Sequence, residues 1–175
     1  MTERDSLSAL AAVLDPLGIG WVLIGALAAN RYRKTTRTTQ DVDLLLLDLG
    51  PGLDSLEAAL RSAGWTVRRA TPGGEMLRAR HPAYGLADLI VAGTEYERTA
   101  IARARSEGAS PAASVRVLAP EDVIIFKLIA GRAQDLADIE AILAAEPALD
   151  DGYLDGWASA WDVLESLRRL RAAAR

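Results

Sequence analysis

The sequence predicts a mixed α/β fold, one β-sheet flanked by helices and followed by a helical carboxyl-terminal part. Three observations predict it. Short apolar runs such as Trp21-Val22-Leu23-Ile24 and Leu44-Leu45-Leu46-Leu47 read as buried strands. Segments with apolar residues at helical spacing alternate with those runs through the first two thirds of the chain. Beyond Ala119 only helical patterns remain, so residues 1–119 read as a core and residues 120–175 as a helical region packed on it.

In chain order, Leu7 to Leu14 sets Leu7, Leu10, Ala11 and Leu14 on one helical face, and Asp15, Pro16 and Gly18 stop it. Trp21 to Ile24 is a strand closed by Gly25, and Ala26 to Arg33 resumes as a helix. Arg33 to Thr39 is polar and basic and reads as a loop. Asp41 to Leu47 is a second strand, buried on both faces along its leucines and headed by acids. Asp54 to Ala63 is an amphipathic helix opening near Gly52. Trp65 to Arg69 and Glu75 to Arg80 alternate as strands joined by a Thr71-Pro72-Gly73-Gly74 turn. Leu86 to Val91 is another strand, with Asp88 its one charged residue. Tyr96 to Arg105 reads as a helix and Ser114 to Leu118 as a strand. Pro120-Glu121-Asp122 opens a helix that Gly131 ends. Gln134 to Ala145 is the next helix. Trp157 to Ala174 is the last, with Trp157, Trp161, Leu164, Leu167 and Leu170 as its packing stripe.

Composition narrows the chemistry. Half of the 175 residues are hydrophobic, which is enough for a core without covalent staples, and the chain has no cysteine. Disulfides, thiolate metal sites and cysteine nucleophiles are excluded. The one histidine, His81, rules out a multi-histidine metal cage and reads as a surface or loop residue. Metal chemistry must rest on carboxylates, which suit hard ions such as Mg²⁺. No signal-peptide core and no membrane-length apolar run is present, so a soluble cytoplasmic protein is expected. A formal net charge of −4 argues against blanket binding of nucleic acid but leaves room for a local basic pocket.

Asp41-Val42-Asp43 is the most informative triplet. Residues two apart on a strand share a face, so two carboxylates stand side by side at the head of an oily strand. Burying such a pair costs several kcal/mol, on the order of a few, through repulsion and lost hydration. A divalent cation removes that repulsion. Alternatively, Asp41 caps a turn and Asp43 faces solvent. Asp88 is the natural third carboxylate, or a structural acid at a strand start. Gly25 lies between strand and helix, where backbone amides can face an anion, or where glycine supplies only backbone freedom. Arg31, Arg33, Lys34 and Arg37 crowd the loop before the acids; Arg37 is the best-placed phosphate partner, and Thr38 and Thr39 can orient the loop by their hydroxyls. Lys127 interrupts an apolar helix and needs an anionic partner or a path to solvent. Asp135 and Asp138 share one face of the next helix and can pair with Lys127 or Arg132, or cap.

These residues resemble the nucleotidyltransferase superfamily that shares the DNA polymerase β fold. Its strand-to-helix glycine turn, Asp-x-Asp pair and later third acid correspond to Gly25-Ala26, Asp41 with Asp43, and Asp88. More narrowly, the chain resembles the AbiEii-type nucleotidyltransferases of bacterial toxin–antitoxin and phage-defence systems. Their Arg-x-Thr-x-Asp-x-Asp pattern is matched by Arg37, Thr39, Asp41 and Asp43, and their lysine followed by Asp-x-x-Asp by Lys127, Asp135 and Asp138. The resemblance spans roughly Trp21 to Leu143. It implies Mg²⁺ on Asp41, Asp43 and Asp88, with an NTP as co-substrate held near Gly25, Ala26, Arg37, Thr39, Lys127, Asp135 and Asp138. The implied acceptor is RNA or tRNA, a protein or a small molecule, and the implied partner a cognate toxin or antitoxin. Ala26 stands where the family usually carries Ser or Gly. The alternative implication is therefore a weak or inactive member acting through a partner.

Overall fold

The structure is a computed structural model that describes residues 3–39, 41–47, 49–50, 52–73, 75–108, 114–145 and 148–174. A seven-stranded mixed sheet runs in the order β3-β4-β5-β2-β1-β7-β6. Its strands are β1 (Gly20–Leu23), β2 (Asp41–Leu47), β3 (Thr66–Arg69), β4 (Met76–His81), β5 (Gly85–Val91), β6 (Arg105–Glu107) and β7 (Val115–Val117). The helices are α1 (Glu3–Leu14), α2 (Gly25–Ala29), α3 (Gly52–Ser62), α4 (Glu95–Arg103), α5 (Pro120–Ala130), α6 (Ala133–Ala145), α7 (Asp151–Ala160) and α8 (Leu164–Ala173).

The fold class and most elements match the sequence. β2 sits mid-sheet, antiparallel to β1 and parallel to β5. The two faces of the sheet differ sharply. On one, Val42, Leu44 and Leu46, Ala87 and Leu89, and Leu77 and Ala79 are all buried; α1 and α3 pack on each other and against this part of the fold. On the other lie Asp41, Asp43, Arg78 and Asp88, and burial there is partial. Leu44, Leu45 and Leu46 are fully buried as expected, but the head of the strand is not: Asp41 is exposed and Asp43 half-buried. α5 spans the open face, and Val123, Ile124 and Ile125 join the same buried cluster as β1 and β2.

Three departures have physical reasons. The stretch 26–33 is a five-residue α2 followed by a 3₁₀ turn at Asn30–Tyr32. There the Asn30 amide bonds the backbone of Arg37 in both directions, and Tyr32 Oη donates to the Leu118 carbonyl. α4 ends at Arg103 because Arg105 to Glu107 pairs antiparallel with β7, an edge strand without any strand-like residue pattern. The last helix is two. Asp162 adopts φ 57°, its N–H donates to Ser159 O and that of Val163 to Ala158 O, the paired bonds of a Schellman stop with aspartate in the glycine position. The apolar stripe therefore folds over on itself, and Trp161 stays exposed. Gly74 of the expected turn lies outside the described residues.

Glu121 and Asp122, which read as first-turn acids, are buried. Asp122 accepts hydrogen bonds from Tyr153 Oη at 2.6 Å and Arg103 Nε at 3.2 Å, tying α4, α5 and α7 together. Among the described residues no helix is long and apolar enough to cross a membrane.

The left-handed aspartate generates a prediction. Asp162→Gly relieves the side-chain clash of that conformation and is expected to raise stability by up to about 1 kcal/mol, whereas Asp162→Val lowers it by about as much or more. Urea midpoints of the three proteins check this.

Candidate active site

The register of β2 on β5 assembles the site. Asp43 is the direct partner of Asp88, Asp41 of Leu86, and Asp88 in turn faces Arg78 on β4. Partners in register point to the same face of a sheet. Asp41, Asp43 and Asp88 are therefore gathered on the open face. Burial, then the charge of Asp88, then that of Asp41 push the pKa of Asp43 up to about 6, against the pull of Arg132 and Lys127. No described side chain or backbone group donates a hydrogen bond to the Asp43 carboxylate. Asp88 is different. Arg78 Nε and Nη2 donate to its two oxygens at 2.6 and 2.5 Å, a two-pronged ion pair. Among the described residues no three carboxylate or imidazole groups stand as a ready-made metal cage.

Gly25 follows β1 with φ 67°, and the N–H of Ile24 donates to Asp43 O at 2.9 Å, locking the turn to the acid strand. A Cβ added at Gly25 would overlap the carboxylate of Asp43. The glycine is required twice, for its dihedral and for the room it leaves. Ala26 is buried just behind it. α2 is a single short turn, so its amides offer little macrodipole.

Facing the acids across a cleft of about 220 Å³ are Val123, Phe126, Lys127, Arg132 and Asp135. Lys127 is buried and does not reach solvent. Its Nζ donates to Asp135 Oδ1 at 3.0 Å and Asp138 Oδ2 at 2.6 Å, which leaves one of its three donors. Burial pushes the Asp135 carboxyl up, but hydrogen bonds from Arg132 and Lys127 outweigh it and hold its pKa below the ordinary value. Asp138 also receives Arg33 Nη1 and lies 3.4 Å from Arg37 Nε. Asp135 and Asp138 are therefore occupied by protein cations: they fasten Lys127 and the basic loop in place. Thr39 Oγ1 accepts from the N–H of Asp41 at 3.4 Å and steadies the start of β2.

Two participants escaped the sequence reading. Arg78 and Asn30 each lie in an ordinary polar context; the pairing of β4 with β5 brings Arg78 to Asp88, and the turn after α2 brings Asn30 to the basic loop. Arg132 pairs with Asp135, as the sequence allowed. The alternation of Glu75 to Arg80 already put Arg78 on the same face as Met76, but not beside Asp88. His81 ends β4 away from the cleft, stacked on Tyr84 with centroids 4.5 Å apart.

The sequence pattern of the family described as "Nucleotidyl transferase AbiEii toxin, Type IV TA system" matches residues 8–161. Among solved structures, the antibiotic-resistance factor ANT(2'')-Ia in complex with adenylyl-2''-tobramycin is similar at 17% identity, covering 93% of this chain and 98% of that one with a TM-score of 0.66. The lincosamide antibiotic adenylyltransferase LnuA, lincomycin-bound, is similar at 14% identity, with 81% and 96% covered and a TM-score of 0.59. An antigenic nucleotidyltransferase-like protein from Paracoccidioides brasiliensis is similar at 19% identity, with 98% and 91% covered and a TM-score of 0.58. These likenesses establish a shared fold. No curated protein sequence matches the chain.

Two predictions follow from the geometry. Gly25→Ala is expected to cost at least about 2 kcal/mol, from strain at positive φ and displacement of Asp43; a melting curve reads this directly. Asp43 holds its proton more tightly folded than unfolded, so its contribution to stability is full below pH 4 and lost as pH rises to 6. In metal-free buffer Asp43→Asn is expected to match the parent below pH 4 and to exceed it at pH 7 by up to about 3 kcal/mol. Denaturant titrations at the two pH values measure the difference.

Proposed function

We infer the reaction from one premise: the chain belongs to the AbiEii nucleotidyltransferase family. We propose that it moves a nucleoside monophosphate from an NTP to an acceptor hydroxyl, with release of pyrophosphate, in the cleft between the acid face of the sheet and α5. The observation that carries this reading is the Asp43–Asp88 register, which lays carboxylates side by side opposite Lys127 and Arg132.

The donors fit Mg²⁺. They are carboxylate oxygens, hard ligands, and Asp43 bears burial and like-charge repulsion without a hydrogen bond in return. Asp41 and Asp43 would hold the ion, and Asp88 would complete the set. When bound, such an ion supplies charge neutralisation for the carboxylates and for phosphate oxygens. Asp88 would accept the proton of the acceptor hydroxyl. The free donor of Lys127 and the guanidinium of Arg37 would hold phosphate oxygens. Asp135 and Asp138 fix those two cations, and the bare backbone at Gly25 lets a triphosphate lie close to Asp43. The protein's contribution is positioning and electrostatics rather than a covalent intermediate.

The acceptor side carries positive charge. Arg68 is the register partner of Arg78, and Arg80 lies two residues on, so both share the acid face; both are exposed and neither has an ion-pair or hydrogen-bond partner among the described residues. This favours an anionic acceptor such as RNA or tRNA over a polycationic antibiotic. A cytoplasmic role beside a cognate toxin or antitoxin fits the family. A second reading has two observations of its own: Arg78 occupies Asp88, and Ala26 offers no hydroxyl. They support a nucleotide-binding member without turnover that acts through its partner.

Transfer from α-³²P-labelled NTPs plus Mg²⁺ to RNA, partner protein and aminoglycosides separates these readings. Label on RNA, reduced at least about a hundredfold by Asp43→Asn, is expected. Equal labelling by that variant would contradict the reaction, and calorimetric binding of Mg²⁺–NTP without any transfer would establish the second reading instead.

A further inference from the structure

We propose that Arg78 is a built-in counter-ion that competes with the divalent cation for Asp88, and that, once displaced, its guanidinium becomes a ligand of the incoming triphosphate. The inference rests on the proposed reading of the acid face as a metal–triphosphate site. It adds a residue that the family motifs do not include.

Four observations carry it. Arg78 takes one lone pair on each oxygen of Asp88 and balances its charge, so a cation arriving at Asp88 competes with the guanidinium. The Arg78 side chain is 42% exposed and that of Asp88 17%, so water reaches the guanidinium and the fork can open. Arg78 lines the same cleft as Asp43, Gly25 and Lys127, so an opened guanidinium remains within the site rather than leaving it. Arg68 stands directly across from Arg78 on β3 without an anionic partner, and like charges opposite each other on a sheet repel. A phosphate in the cleft relieves that repulsion as soon as Asp88 lets go. The interaction of Arg78 with Asp41 and Asp43, beyond its bond to Asp88, is in keeping with a cation that balances the whole acid cluster.

The consequence is a coupling. Metal alone must displace Arg78 from Asp88 and gains nothing from the freed guanidinium. Metal with triphosphate displaces it and gives it a new partner. Each ligand therefore strengthens the other, and reciprocally so by linkage. The chain would hold free divalent ion weakly and close around the ion and nucleotide together.

Titration calorimetry with Mn²⁺, alone and with a non-hydrolysable triphosphate, tests this in five proteins: the parent, Arg78→Gln, Arg78→Lys, Arg68→Gln and Asp43→Asn. Arg78→Gln is expected to bind Mn²⁺ alone about tenfold more tightly than the parent, and to lose most of the enhancement that triphosphate gives. Arg68→Gln removes an equal charge without touching Asp88, and its Mn²⁺ affinity is expected to change by no more than about twofold. Arg78→Lys keeps the charge but not the fork, and is expected to fall between parent and Arg78→Gln; it carries the test if Arg78→Gln does not fold. Mn²⁺ affinity in both Arg78 variants equal to or below the parent's, or matched by Arg68→Gln, overturns the inference. Should the parent bind Mn²⁺ together with triphosphate no better than Asp43→Asn does, the reading of the acid face itself falls, which is a separate failure.

Discussion

Two parallel strands joined in register put one carboxylate against another, and the rest of the structure is arranged around that placement. Asp43 and Asp88 face each other on β2 and β5, with Asp41 on the same face. Water-exposed, such a cluster would be unremarkable. Here burial and the charges of Asp88 and Asp41 lift the pKa of Asp43 to about 6, so keeping it ionised at neutral pH works against the fold. The opposite face of the same strands is packed with Val42, Leu44, Leu46, Ala87 and Leu89, all buried. That packing fixes the register: a slip of one residue would turn the leucines to the cleft and the acids into the core. The hydrophobic face therefore pins the charged one.

Three cations line the cleft with the cluster, each held with a different degree of freedom. Arg78 touches Asp88 and is half-exposed. Arg132 is held by Asp135 and reaches the cleft from its rim. Lys127 is buried and fixed by two carboxylates of α6. Removing one member of such a buried set typically costs several kcal/mol, roughly 3–5, because the remaining charge is stranded. The arrangement explains why Asp135 and Asp138, although acidic and near the cleft, serve the lysine and the Arg33 loop rather than the acid face. Rigidity is also imposed on the backbone: Asn30 clasps Arg37 in both directions, and the N–H of Ile24 ties the glycine turn to Asp43.

Much of this was legible in the amino-acid order. The alternation rule placed Asp41 and Asp43 on one face, and the lone charge in Leu86 to Val91 singled out Asp88. A lysine in an apolar helix demanded an anion, and Asp135 with Asp138 at helical spacing supplied two. What the order of residues could not convey was pairing between distant segments. Arg78 sits in an alternating strand with nothing to distinguish it from Arg80 until β4 is laid against β5. Arg-Ser-Glu at positions 105–107 becomes a strand only because β7 offers an edge. The Trp157 to Leu170 stripe keeps helical spacing straight through a chain reversal, and a single left-handed aspartate, unmarked by glycine or proline, makes the break. Local patterns gave the elements; long-range register gave the site.

The central claim is that the Asp43–Asp88 juxtaposition is a seat for a divalent cation and the phosphates it accompanies. The most direct measurement is a crystal structure of the chain with Mn²⁺ and a non-hydrolysable NTP, with anomalous difference density collected at the manganese edge. The account predicts a peak within bonding distance of Asp43, shared with Asp41 or Asp88, with triphosphate oxygens beside it. A manganese peak elsewhere on the molecule, with the nucleotide bound away from β2, would contradict it.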